Sequence, residues 1–74
     1  MPKLSPVKPR KVIRYLQKMG FVEVRQKGSH IFFAHPDGRT TVMPYHQREE
    51  IRPGLLRKIL HDVKISPEEF LKTK

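Results

Sequence analysis

Four histidines, at positions 30, 35, 46 and 61, are the side chains of this sequence that exchange a proton near neutral pH without special tuning. Cysteine is absent, which excludes a thiolate nucleophile, a disulfide framework and a thiolate zinc site. Ser29 precedes a histidine, but no nucleophile elbow surrounds it. The acidic residues include two adjacent pairs. Glu49-Glu50 falls in a loop and Glu68-Glu69 at a helix start, positions that suit solvation and the helix dipole rather than paired-carboxylate or two-metal hydrolysis. Consecutive histidines are spaced by 5, 11 and 15 residues, which matches no closed zinc motif, so no metal is expected.

His30 has the most informative context, Lys27-Gly28-Ser29-His30. Glycine and serine just before a strand leave the backbone open to a phosphate, and Arg25 and Lys27 add positive charge at the same end of the hairpin. On RNA, an imidazole so placed can take the ribose 2′-OH proton or protonate the leaving 5′-oxygen. That internal transesterification requires neither metal nor cofactor. The same letters also spell an ordinary β-turn followed by an ordinary strand histidine. Pro44-Tyr45-His46 stands at a strand exit. It brings a second ring near the first if the strands pair in register, or else leaves a surface histidine. His35, before Pro36, and His61, late in a Leu-rich helix where a cation suits the dipole, read as structural. Phe32, Phe33 and Tyr45 are candidates for base stacking if exposed and for core if buried. Strand alternation puts His30, Phe32 and Ala34 on one face and Ile31, Phe33 and His35 on the other. Both faces are apolar, so either can be the covered one.

The elements that must position these groups follow from local chemistry. Residues 1–7, with Pro2 and Pro6, read as a flexible arm ahead of a single domain over 8–74. Pro9 suits a first helical position, Val12, Ile13, Leu16 and Met19 recur at helical spacing, and Gly20 is a natural stop. Arg10, Lys11, Arg14 and Lys18 give that helix a basic face. Strands are expected over 21–27, 30–35 and 39–43, joined by Gly28-Ser29 and Pro36-Asp37-Gly38 turns. A polar loop over 45–52 leads to a helix from Pro53 carrying Leu55, Leu56, Ile59, Leu60 and Val63. Ser66-Pro67-Glu68-Glu69 then caps a last short helix. The order α-β-β-β-α packs as one antiparallel sheet with helices on a single face.

The chain has 74 residues and a net charge of +9, room for one domain and a strong lean toward a polyanionic partner, of which nucleic acid is the commonest. The longest apolar run, Ile31-Phe32-Phe33-Ala34, is far too short to span a membrane, and no signal peptide is visible, so a cytoplasmic protein is expected.

Taken in order, Leu16-x-x-x-Gly20-Phe21, Gly28-Ser29-His30, His35-Pro36-Asp37-Gly38, Pro44-x-His46, Pro53-Gly54-x-x-x-x-Ile59-Leu60 and Ile65-Ser66-x-Glu68-Glu69-Phe70 resemble the HicA family of bacterial and archaeal toxins. The resemblance covers about residues 9–71. It implies an α+β, double-stranded-RNA-binding-domain-like fold with a three-stranded antiparallel sheet. It also implies an mRNA interferase, an endoribonuclease that halts translation, and a HicB-type antitoxin as partner. The family's catalytic histidine falls on His30, with Gly28 and Ser29 as motif neighbours, and Pro44 and His46 match a second recurring motif. Pro-Gly-Leu at 53–55 replaces the Lys-Gly-Thr of many members, a change at a helix start and not in the chemistry. Arg10, Arg14, Lys18, Arg25 and Lys27 are the expected contacts to the RNA backbone. The alternative from another class is a non-catalytic RNA- or DNA-binding module using the same basic face.

Overall fold

A computed structural model describes residues 3–46 and 48–72. It contains α1 (Pro9–Lys18), β1 (Val22–Lys27), β2 (His30–Ala34), β3 (Thr40–Pro44), α2 (Pro53–Asp62) and α3 (Pro67–Leu71). The strands form one antiparallel sheet in the order β1-β2-β3. This is the expected α+β, double-stranded-RNA-binding-domain-like layout. No helix among the described residues is long and apolar enough to cross a membrane.

The covered face of the sheet is the one carrying Ile31 and Phe33. These residues and Met43 join Val12, Tyr15, Leu16, Leu56, Ile59, Leu60 and Phe70 in a single buried cluster, so all three helices lie on that side. Thr41 shares the face and is buried, with its hydroxyl donating to Asp62 Oδ2 at 3.1 Å. His30, Phe32, Ala34, Val42 and Pro44 lie on the opposite face, exposed or half-buried. Strand alternation and a helix layer on one side are enough to produce this division.

Both longer helices end in the same way. The N–H of Phe21 donates to the Leu16 carbonyl (2.9 Å) and that of Gly20 to Gln17 (3.1 Å); Ile65 and Lys64 repeat the pattern onto Leu60 (3.0 Å) and His61 (3.1 Å). These are Schellman turns, each with an apolar contact available between its flanking residues. The first puts Gly20 at φ +98°, where glycine is at ease, and a Cβ there would meet His35 Nε2 at 2.8 Å. The second puts Lys64 at φ 58°, a left-handed conformation that side chains resist. Lys64→Gly is therefore expected to stabilise the domain by roughly 0.5–1 kcal/mol, after allowing for the greater freedom of glycine in the unfolded chain. Thermal unfolding checks it: a midpoint raised by a few degrees is expected, and a lowered one would place the strain elsewhere.

Two segments differ from the sequence expectation. The arm at residues 1–7 is not loose over its described part: Leu4 is buried in the core, and Val7 forms a bridge with Ile51, its N–H donating at 3.0 Å and its carbonyl accepting at 2.6 Å. Met1 and Pro2 lie outside the described residues. Ile51, in the loop expected to be polar, is buried for the same reason. Second, Phe21 precedes β1 instead of belonging to it, and the strand it introduces is exposed along its whole length. A bulge between Glu23 and Arg25 leaves Val24 without a partner on β2, and both Val22 and Val24 are 57% exposed.

The β2–β3 turn explains His35. Its Nδ1 accepts the Asp37 backbone N–H at 3.0 Å, its ring packs edge-on to Phe21 at 5.0 Å, and Arg39 spans from Asp37 (Nε to Oδ2, 2.8 Å) to the Val63 carbonyl at 2.6 Å. The Arg39 backbone N–H, bonded to Asp37 Oδ1, holds that carboxyl below its ordinary range against the opposing pull of desolvation, with further help from the Arg39 guanidinium. His35 thus packs the turn against the end of α1, at Gly20 and Phe21, while Arg39 ties it to the end of α2, and the ring is structural as its place in the sequence suggests.

Candidate nucleic-acid interface

His30 opens β2 directly after a two-residue turn. Gly28 stands at the first central position with φ +59°, while Ser29 keeps an ordinary negative φ, the pattern of a II′ hairpin turn, which matches the twist of the flanking strands. The register then places Lys27 and Pro44 directly across from His30, one on each side. Cross-strand partners hold their Cβ atoms about 4.5–5.5 Å apart, so Lys27 Nζ and the His30 imidazole serve the same patch of surface. His30 is exposed, on the face the helices leave open. Among the described residues no hydrogen bond or ion pair engages its ring, which leaves both nitrogens available to a ligand.

The strands pair in the register that brings Pro44-x-His46 to the same end. The Tyr45 N–H donates to the Ser29 carbonyl at 2.6 Å, tying the exit of β3 to the turn before His30. His46 nevertheless faces another way: with Pro44 it lines a shallow groove of about 240 Å³ beside Glu49, Glu50 and Arg52, and its Nδ1 lies 3.9 Å from Glu49 Oε1. His30 is not part of that groove. The two rings share an end of the sheet, not a cavity.

The five cations expected to hold RNA fall into two groups. Arg25 and Lys27 are on the open face of the sheet, paired with Phe32 and His30. The Arg25 guanidinium lies 4.6 Å over the Phe32 ring. Arg10, Arg14 and Lys18 are on α1, where with Lys8 and Lys11 they line a groove of about 560 Å³ floored by Tyr15 and Phe70. The two rings meet edge-on at 4.9 Å, with Lys11 Nζ 5.8 Å above Phe70. Among the described residues no acidic side chain lines this groove. Tyr15, absent from the expected stripe, completes it at the spacing i, i+3, i+4 with Val12 and Leu16, a signal already legible in the periodicity.

The two groups lie on different layers, the helix and the sheet. The Val7–Ile51 bridge fixes the start of α1 close to the chain that has just left Pro44, so Lys8 and Arg10 lie toward the end of the molecule that carries His30, and Lys18 toward the other. His61 sits in the last turn of α2, away from both groups.

No curated protein matches the chain. A family model does: one described as the HicA toxin of bacterial toxin–antitoxin systems, matching residues 9–65.

Proposed function

The chain belongs to the HicA toxin family of bacterial toxin–antitoxin systems, and from that membership we propose that it is an endoribonuclease that cleaves mRNA, and so inhibits translation, through His30. The observation that carries the reading is the placement of His30: an unengaged imidazole on the open sheet face, at the mouth of a hairpin, with Lys27 across the strand. In the reaction the ribose 2′-oxygen attacks the adjacent phosphorus and the 5′-oxygen departs. His30 serves as the general base that takes the 2′-OH proton, water protonating the departing 5′-oxygen, or as the acid that protonates that oxygen, water taking the 2′-OH proton. Lys27 and Arg25 neutralise the phosphate, and the open backbone at Gly28 and Ser29 lets it approach. Pro44 walls the opposite side of His30, and His46 flanks the path as a secondary site. A HicB-type antitoxin is the partner that would mask this surface, and the cytoplasm is the compartment in which mRNA is met.

The product tests the chemistry. Purified protein incubated with RNA in the presence of a chelator is expected to yield fragments ending in 2′,3′-cyclic phosphate. Fragments ending in 3′-hydroxyl, or cleavage abolished by the chelator, would overturn a histidine-driven transesterification. Equal RNA binding without any cleavage would leave the non-catalytic binding module as the reading.

The basic face of α1 makes a separate expectation. RNA affinity should fall as salt rises, because each phosphate contact releases condensed cations, with a logarithmic slope of about −0.7 per contact on a single strand. Arg14→Ala should reduce the steepness by about 0.7, read by fluorescence anisotropy over a salt series. An unchanged slope would remove α1 from the RNA path.

A further inference from the structure

The open face of the sheet carries more than a proton-transfer group. Two register steps from the Lys27–His30 pair and on the same face, Arg25 and Phe32 face each other with the guanidinium 4.6 Å above the ring. Beside them Val24, left unpaired by the bulge, lines with Phe32, Ala34 and Val42, together with Thr40 and Asp62, a shallow and mainly apolar groove of about 470 Å³. No helix covers this side, so an aromatic ring and several aliphatic side chains remain in contact with water for no packing reason. We propose that the Arg25–Phe32 stack is a nucleobase platform, binding one unpaired base of a single-stranded RNA whose phosphate lies at His30. The inference rests on the RNA-binding part of the proposed function, and extends it from a reaction to a substrate form.

The argument is one of spacing and chemistry. His30 and Phe32 are two residues apart on one strand face, about 6.6 Å, a separation that a phosphate and its own base can bridge. A base in a duplex hides its flat surfaces in the stack and cannot lie on a sheet; an unpaired base can. Arginine planes and aromatic rings are the surfaces on which proteins stack unpaired bases, and such stacking tolerates any base because each has a π face. Arg25 over Phe32 and Lys27 across from His30 favour an anionic strand along this line of the sheet, beside the groove that Asp62 also lines. The fold resembles domains that read duplex RNA, yet the residues beside the reacting histidine suit a strand with its bases free.

The test uses the full chain and a 2′-O-methyl RNA oligomer, which lacks the attacking hydroxyl, with a single abasic site walked along it. At one position the abasic site should weaken binding about 10- to 100-fold, and the same sequence as a duplex should bind less tightly than the single strand. Phe32→Leu, which keeps the apolar volume without the ring, should bind the intact oligomer as weakly as the native protein binds the abasic one, with no further loss from the lesion. Arg25→Lys should lose the lesion effect while keeping the salt slope, because it retains charge and loses the plane. Thermal unfolding of both variants confirms that they are folded. An abasic series without a sensitive position, or variants that keep the native sensitivity, would overturn the platform even if the protein cleaves RNA. A sensitive position abolished by Phe32→Leu would establish it even if no cleavage is found. Failure to bind RNA at low salt, with an acidic protein taking the face instead, would overturn both.

Discussion

His30→Ala is expected to lower RNA cleavage about 100- to 10,000-fold, the usual cost of removing a positioned proton-transfer group, while the protein stays folded and binds RNA nearly as before. Each half of that statement has its own ground. The rate half follows from the equipment at the site: neither His46, in a separate groove against Glu49, nor Lys27, on the neighbouring strand, occupies the position of the lost ring. The stability half follows from exposure. The His30 side chain lies on the uncovered face and makes no hydrogen bond or ion pair among the described residues, and surface substitutions of that kind usually change stability by less than about 0.5 kcal/mol. Expression in a bacterial host of the native and variant proteins, followed by RNA integrity and growth, measures the first half; thermal unfolding of the purified variant measures the second. Growth arrest by both proteins alike would detach the toxicity from this histidine. A variant that fails to fold would show that the ring has a packing role the open face does not suggest.

What the sequence discloses about this site, and what it withholds, divides along the range of the interactions concerned. Features decided within a few residues are legible. Pro9 starts α1 and Gly20 ends it, Gly28-Ser29 makes the turn, and Ser66 caps α3 by accepting the Glu69 N–H at 3.1 Å. Features decided across the fold are not. Leu4 and Ile51 are isolated apolar residues among prolines and charges, with no periodicity to mark them, and only the Val7–Ile51 pairing makes them core. The left-handed Lys64 carries no signal, since the residue type favoured there is glycine. Above all, the strand Ile31-Phe32-Phe33-Ala34 is apolar on both faces, so alternation alone separates His30 and Phe32 from Ile31 and Phe33 without saying which pair meets water. The helices decide that, through contacts between residues tens of positions apart in sequence. The platform proposed above would account for the ambiguity: a sheet whose outer face holds a flat base gives up the polar-out pattern that would have marked it.

Phe33→Ala is expected to cost about 3–5 kcal/mol, the range for emptying a buried phenylalanine site, and this is the largest stability loss to be anticipated from a single sheet residue here. Phe33 is 1% exposed and lies on the face shared with Ile31, Met43 and the inner stripes of α1 and α2, so every side of the vacated space is lined by groups already packed against something else. Its β3 partner is Thr41, whose hydroxyl is committed to Asp62 and has little freedom to move into the gap. For a domain of 74 residues, total stability on the usual scale is about 4–11 kcal/mol, so the substitution removes between about a quarter and all of it. The neighbouring Phe32→Ala supplies the control. The residue type and strand are the same, but the ring stands half-buried on the open face under Arg25, and its loss should cost well under half as much while removing the surface on which a base would lie. Urea unfolding of the two variants side by side distinguishes the faces directly. Comparable losses from both would mean that the outer face is packed after all, and then neither the exposure of His30 nor the availability of the Arg25–Phe32 stack to RNA could stand.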